Sequence, residues 1–350
     1  MGINIKDIAK LSGVGISTVS RVINNTGSVS DATRKKVMDV ISANNYIPNN
    51  SARNLKIVQS KNIALLVKGI TNPFFNKMIR VIEQGVALRG YPLMIQNVDT
   101  SVDELDMAIQ EAQDRNLCGV IIMGGSYTYS DEKFRQLGIP CVLVTISAGD
   151  EVDPKLYSSI RINDEQEGFR ATSYLISQGH RRIGFLYRSP SETATPNVSR
   201  YNGYLRALQE NDIPFDPSLV ATNLISPNAA VDDSGYNVGF QLMKQLYAKN
   251  RDMTAVFAFA DILAIGAAKA VFSMGFSIPD DISIVGFDGI EMAEYYNPSL
   301  DTVYQPATEM ALSSIEILFD MMQGGEAQHI VYDSVLLKRG SSRRIIIPEN

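Results

Sequence analysis

Residues 4–24, NIKDIAKLSGVGISTVSRVIN, constrain the chain more than any other stretch. Ile5, Ile8, Ala9 and Leu11 recur at helical spacing and predict a short helix with one apolar face. Asn4 is placed to cap it, and Asp7 stands in its first turn, where a negative charge is favoured. Gly13 falls where the chain must turn, a position suited to left-handed backbone. A second helix is predicted from Ile16 to Ile23, with Val19, Val22 and Ile23 inward and Ser17, Thr18, Ser20 and Arg21 outward. Two short helices about a tight turn, the second outwardly polar and cationic, form a helix-turn-helix suited to the major groove. The plainer alternative is a small helical cap with no nucleic-acid role.

Charge separates these alternatives. Residues 1–60 carry eight Lys and Arg against three acids, a net of +5, whereas the remaining 290 residues carry a net of -11. A basic head on an acidic body matches a phosphate-seeking module better than an inert cap. The opening MGINIKDIAK has neither the apolar run of a signal peptide nor a transit-peptide composition, so a cytoplasmic location is expected. Its apolar runs, such as Asn62–Val67 and Val256–Ala260, are too short to span a bilayer, so no membrane partner is expected. Cys118 and Cys141 lack CxxC spacing and read as buried thiols; His180 and His329 fit no metal-ligand pattern, so no metal site is predicted.

A third helix is predicted after Ser30, its cap, with Val37, Val40 and Ile41 closing a three-helix core and Arg34, Lys35 and Lys36 beside them. Tyr46-Ile47-Pro48 ends this unit, because the residue before proline is pushed out of helical geometry. The segment NNSARNLK at 49–56 can form only a short helical turn, capped by Asn49 or Asn50 and ordered by docking. Leu55 there is a lone apolar side chain among polar and basic neighbours, including Arg53. That pattern suits insertion at a minor-groove base step, the alternative being a plain linker touching the body.

From residue 61 apolar strands alternate with helices. Strands are predicted at Asn62–Val67, Leu93–Asn97, Gly119–Met123, Cys141–Thr145, Ser158–Ile162, Ile183–Leu186, Ala255–Ala258 and Ile282–Gly286. Uniformly apolar strands of this length belong in parallel sheets covered by helices on both faces. Two doubly wound lobes with a cleft follow, and ligands in such sheets bind beyond the carboxyl ends of the strands. At those ends stand Phe74 and Phe75, Asp164, and Phe287 with Asp288, while Arg200 lies in a polar segment before a helix. Aromatic faces with carboxylate and guanidinium groups suit a polyhydroxylated small molecule, although an aspartate after a strand is often merely a helix cap. No GxGxxG, GxxxxGK[ST] or GxSxG pattern is present, and no catalytic residue is assigned.

With NIKDIAKLSGVGISTVSRVIN, VSDATRKKV, YIPNNSARNL, ITNPFF, GHRRI at 179–183, DISIVGFDG and TVYQP in view, the chain resembles the LacI/GalR family of bacterial transcriptional regulators over its whole length. The resemblance implies an N-terminal all-α helix-turn-helix head and an α/β periplasmic-binding-protein-like core of two doubly wound lobes. It implies a head at 1–48, a hinge helix and linker at 49–60, one lobe at 61–161 with 292–322, and a second at 162–291 with 323–345. Ile16, Ser17 and Arg21 would meet base edges, with Thr18 and Ser20 nearer the backbone. Asn24, Asn50 and Arg53 complete the DNA-binding set with Ala52 and Leu55, which would enter the minor groove. Phe74, Phe75, Asp164, Arg200, Phe287, Asp288 and Gln305 would line the effector cleft.

The implied function is a homodimeric repressor of a pseudo-palindromic double-stranded DNA operator, nucleoid-associated when bound, and controlled by a small-molecule effector of sugar type. A sugar-binding module without DNA-binding activity, an activator, a corepressor-dependent regulator and an enzyme on the same fold are the rivals. Two departures stand out. Gly15 occupies the recognition-helix cap where the family commonly has serine, and Ala260-Asp261 stands where an Asn-Asp pair is usual. The second puts the identity of the ligand in question.

Overall fold

The computed structural model describes residues 5–23, 29–43, 61–99, 101–125, 128–187, 196–222 and 235–345, and the chain divides into two compact units, Met1–Gln59 and Ser60–Asn350. In the first unit α1 (Ile5–Ser12), α2 (Ile16–Ile23) and α3 (Asp31–Ala43) enclose Ile8, Ala9, Val19, Val22 and Val37. The turn between α1 and α2 closes by Val14 N–H donating to the Ala9 carbonyl at 3.1 Å, with Gly13 at φ +65°. Leu11 departs from expectation, being 56% exposed. Ser12, four residues after Ile8, takes the inward position of the last turn and donates its hydroxyl to the Ile8 carbonyl at 2.6 Å. The Gly15 carbonyl accepts from Thr18 and Val19 N–H and opens α2, while Ser30 Oγ accepts from Thr33 N–H ahead of α3.

The second unit holds two six-stranded sheets. The first runs β11-β5-β4-β3-β1-β2, from β1 (Asn62–Lys68), β2 (Leu93–Val98), β3 (Leu117–Met123), β4 (Cys141–Val144), β5 (Ser158–Ile162) and β11 (His329–Tyr332). The second runs β12-β10-β9-β8-β6-β7, from β6 (Ile183–Tyr187), β7 (Val220–Thr222), β8 (Ala255–Ala258), β9 (Ser283–Asp288), β10 (Asp301–Tyr304) and β12 (Val335–Leu337). All pairings are parallel except β10 with β12. Ile63 to Val67 and Ser283 to Asp288 are buried without alternation, because helices cover both faces. Each such leucine or isoleucine contributes about 1.5–3 kcal/mol through burial.

Both sheets wind in the same order, β2-β1-β3-β4-β5 and β7-β6-β8-β9-β10, so each has its switch point where the first strand meets the third. Helices α4 (Pro73–Leu88), α5 (Glu104–Arg115), α6 (Asp131–Leu137) and α12 (Ala307–Met322) flank the first sheet. Helices α7 (Asp164–Ser177), α8 (Pro196–Glu210), α9 (Gly235–Lys249) and α10 (Asp261–Ser273) flank the second, with α11 (Glu291–Tyr295) after β9.

Sheet membership moves two of the expected lobe boundaries. The stretch 292–322 was expected in the first lobe, but β10 pairs with β9 in the second sheet, so the chain crosses after Tyr304. The stretch 323–345 was expected in the second lobe, but β11 pairs with β5 in the first sheet, and only β12 returns to the second. Strands of three or four residues carry no pattern that says which sheet they join. The expected linker at 49–60, and with it Asn50, Ala52, Arg53 and Leu55, lies outside the described residues, as do Asn4 and Asn24.

Candidate functional site

The carboxyl ends of the strands in the second unit converge on one buried ion cluster. Asp288 closes β9, Asp164 opens α7, Arg200 projects from α8 and Gln305 follows β10. All four are buried, with Arg200 7% exposed and Asp288 3%. Arg200 Nε donates to Asp164 Oδ1 at 2.8 Å, Nη1 donates to the Phe259 carbonyl at 2.6 Å, and Nη1 stands 3.6 Å from Asp288 Oδ1. Its guanidinium carbon sits 3.6 Å from the centroid of the fully buried Phe287 ring. One cation therefore serves two carboxylates and an aromatic face, the fixed-fork recognition that arginine provides and lysine does not.

Asp288 also gathers amides from both lobes. Gln305 Nε2 donates to its Oδ1 at 2.8 Å, and Asn72 Nδ2 donates to its Oδ2 at 3.1 Å. Asn72 belongs to the first lobe, where its own Oδ1 caps α4 by accepting from Phe74 N–H at 3.1 Å. A single side chain thus starts a helix in one lobe and reaches a carboxylate in the other. Phe74 and Phe75 follow directly, buried, with ring centroids 5.4 Å apart.

The electrostatics are those of burial only partly compensated. Asp288 is pushed up to about 6, burial outweighing Arg200, Asn72 and Gln305. Asp164 is raised for the same reason, burial exceeding the pull of Arg200. Asp261, behind the cluster at the start of α10, is pushed up to about 8 by burial and then by the charge of Asp288. Such a site favours a ligand that brings neutral hydroxyls to the carboxylates over one that brings further negative charge.

Asp164, Arg200, Phe287, Asp288 and Gln305, expected from sequence to share a site, are joined here by direct contacts. Phe74 and Phe75 connect to them through Asn72. Asn72 was not anticipated. Its sequence signal, an Asn before Pro at a helix start, announces a cap and says nothing of a partner 216 residues away. Ala260, 1% exposed, is the extended residue before α10 and makes no side-chain capping bond. Ala260→Ser supplies that acceptor and is expected to raise stability by about 0.5–1 kcal/mol. Urea unfolding checks this, and an unchanged or lower midpoint would mean that the buried position rejects the extra oxygen.

In the helix-turn-helix unit, Ile16, Ser17 and Arg21 of α2 are exposed, and Thr18 and Ser20 are half-buried. The outer face of α2 is thus an isoleucine, a serine and an arginine over a closed valine core. Among the described residues no cluster of three or more His, Cys, Asp or Glu is placed to hold a metal ion, and no helix is long and apolar enough to cross a membrane.

Residues 4–49 match the bacterial regulatory proteins of the lacI family, and residues 172–342 match the periplasmic binding protein-like domain. The chain is 40% identical over 343 residues to the HTH-type transcriptional regulator MalR of Clostridium butyricum, covering 97% of this chain and 98% of that one. It is 31% identical to the HTH-type transcriptional repressor PurR of Actinobacillus pleuropneumoniae serotype 3, covering 97% and 98% of the two chains. Among solved structures, the transcriptional regulator CelR in complex with cellobiose aligns with a TM-score of 0.68 and 26% identity, over 97% of this chain and all of that one.

Proposed function

This chain belongs to the LacI family of bacterial regulatory proteins, and we propose that it is a repressor whose operator affinity is set by a sugar bound between the two lobes. One observation carries the ligand assignment: a buried carboxylate, Asp288, that pairs with Arg200 and takes donors from Gln305 and the opposite lobe's Asn72. Sugar hydroxyls can exchange into that pattern as donors and acceptors, while Phe74, Phe75 and Phe287 offer apolar faces to C–H groups. Phe75 and Gln305 complete the lining with Asp164. The structure of CelR with cellobiose supplies the class of molecule to try first.

A ligand there acts by differential affinity. Binding one inter-lobe arrangement better than another shifts the population, and a ligand indifferent to the two would change nothing at the DNA. Two heads of a cytoplasmic homodimer then read the half-sites of a pseudo-palindromic operator. Ile16, Ser17 and Arg21 meet base edges, Thr18 and Ser20 lie nearer the backbone, Ala52 and Leu55 enter the minor groove with Leu55 as wedge, and Asn24, Asn50 and Arg53 complete the DNA-binding set. Release of DNA on sugar binding is the favoured direction.

Thermal-shift screening of the full chain against cellobiose and a panel of mono- and disaccharides, followed by calorimetry, tests the ligand reading. Asp288→Asn is expected to abolish the response and leave operator binding within twofold. If no saccharide stabilises the wild-type chain, the sugar assignment fails. For the head, an operator enriched from random duplex by binding provides the probe. Arg21→Ala is expected to weaken it about tenfold or more, the loss of one bidentate guanine contact being worth about 1–3 kcal/mol. Equal weakening on operator and random duplex would reduce Arg21 to a phosphate contact.

A further inference from the structure

Asp261 is fully buried, ionisable and outside the direct contacts of the cluster. As the first residue of α10 it could serve its own helix dipole, but its two oxygens face elsewhere. Oδ1 accepts from the Thr302 hydroxyl at 2.7 Å and Oδ2 accepts from Ile290 N–H at 2.9 Å. Thr302 Oγ1 in turn accepts from Gly289 N–H at 3.3 Å. Both backbone amides that follow Asp288 are therefore held, directly or through one hydroxyl, by Asp261. On the other side, Gln305 N–H donates to the Asp288 carbonyl at 3.2 Å.

Asp288 needs such holding, because its φ is +107°, a conformation that L residues adopt only when their surroundings over-determine it. Gly286 fits the same reading: a Cβ there would lie 2.1 Å from Asp261 Oδ1, so this strand position leaves room for the carboxylate. We propose that the Asp261–Thr302 pair is the platform that holds the strained backbone of Asp288 and aims its carboxylate at Arg200, Gln305 and Asn72. Both are positioning residues. The inference rests on Asp288 being a ligand contact, but the placement it describes exists without ligand.

The test therefore uses no ligand. Asn72 Nδ2 and Gln305 Nε2 both donate to Asp288, so their side-chain amide signals in a 1H–15N TROSY spectrum of the full chain report where that carboxylate points. Asn72→Ser and Gln305→Glu assign the two signals by loss. Asp261→Asn and Thr302→Val are expected to shift or broaden both signals, and Thr302→Ser to leave both in place. A role confined to overall stability would lower the melting temperature and leave the two signals where they are. Either folded variant, Asp261→Asn or Thr302→Val, keeping both signals at their wild-type positions would overturn the proposal. If Asp261→Asn does not fold, Thr302→Val decides. Because no sugar is added, the outcome is separate from that of the saccharide screen.

Discussion

Arg200→Ala is expected to cost the core about 3–5 kcal/mol at pH 8, the range for removing one partner of a buried ion pair. The guanidinium sits between Asp164 and Asp288, both under 5% exposed, and donates to the Phe259 carbonyl as well. Without it, two carboxylates remain in a site too dry to solvate them, and the half-buried Phe259 carbonyl loses a donor. The pH dependence follows from the direction of the shifts. Asp288 already lies at about 6 in the folded chain, and loss of Arg200 removes an influence that lowers both carboxyls. A carboxyl raised on folding contributes stability that is present below its unfolded value and lost as pH rises through its folded value. The deficit of the variant should therefore be largest at pH 8 and narrow toward pH 5, where the folded chain takes up the protons. Urea unfolding at the two pH values measures it. An equal deficit at both would assign the loss to packing on Phe287 and to the Phe259 carbonyl. Arg200→Lys keeps the charge but not the fork, so it should fall between wild type and alanine.

The same cluster shows what a linear reading can reach. Asp164, Arg200, Phe287, Asp288 and Gln305 were legible as a set because each sits at a strand end or beside a resembling motif. The strands themselves were legible because parallel sheets make unbroken apolar runs, and Ser158–Ile162 and Ala255–Ala258 are found at the expected bounds. What escaped were features that depend on a second, distant segment. Asn72 looks like a helix cap and is one, yet its amide nitrogen reaches across to the second lobe. Asp261 looks like a first-turn acid, yet its bonds run to Ile290 and Thr302. β10 and β11 fall outside the expected lobes because a four-residue strand pairs with whichever sheet the crossover delivers it to. Leu11 looked inward by spacing, and the inward place in the last turn of α1 went to Ser12.

Gly203→Ala should also destabilise the core, although it removes no interaction and alters no charge. α7 and α8 meet through glycines. A Cβ on Gly203 would lie 2.1 Å from the Glu165 carbonyl oxygen and 2.5 Å from the Phe169 nitrogen, and one on Gly168 would lie 2.4 Å from the Arg200 carbonyl oxygen. Every obstructing atom is backbone, so no rotamer change relieves the clash and the helices must separate. Overpacking of this kind costs about 1–3 kcal/mol or more, against a gain of about 1 kcal/mol in helix propensity, so net destabilisation is expected. Gly85→Ala provides the contrast. The nearest atom there is Ile315 Cδ1 at 2.5 Å, the far end of a flexible side chain that can turn aside. Gly85→Ala should therefore change the urea midpoint little, and Gly203→Ala should lower it clearly. Because α7 carries Asp164 and α8 carries Arg200, separation of the helices also stretches the 2.8 Å bond between those side chains. The Gly203→Ala chain should thus lose response to the sugar identified by screening even at temperatures where it stays folded. A folded variant with normal response would mean that the helices part without disturbing the ion pair. Two helices in backbone contact would then set the stability of the lobe independently of the site.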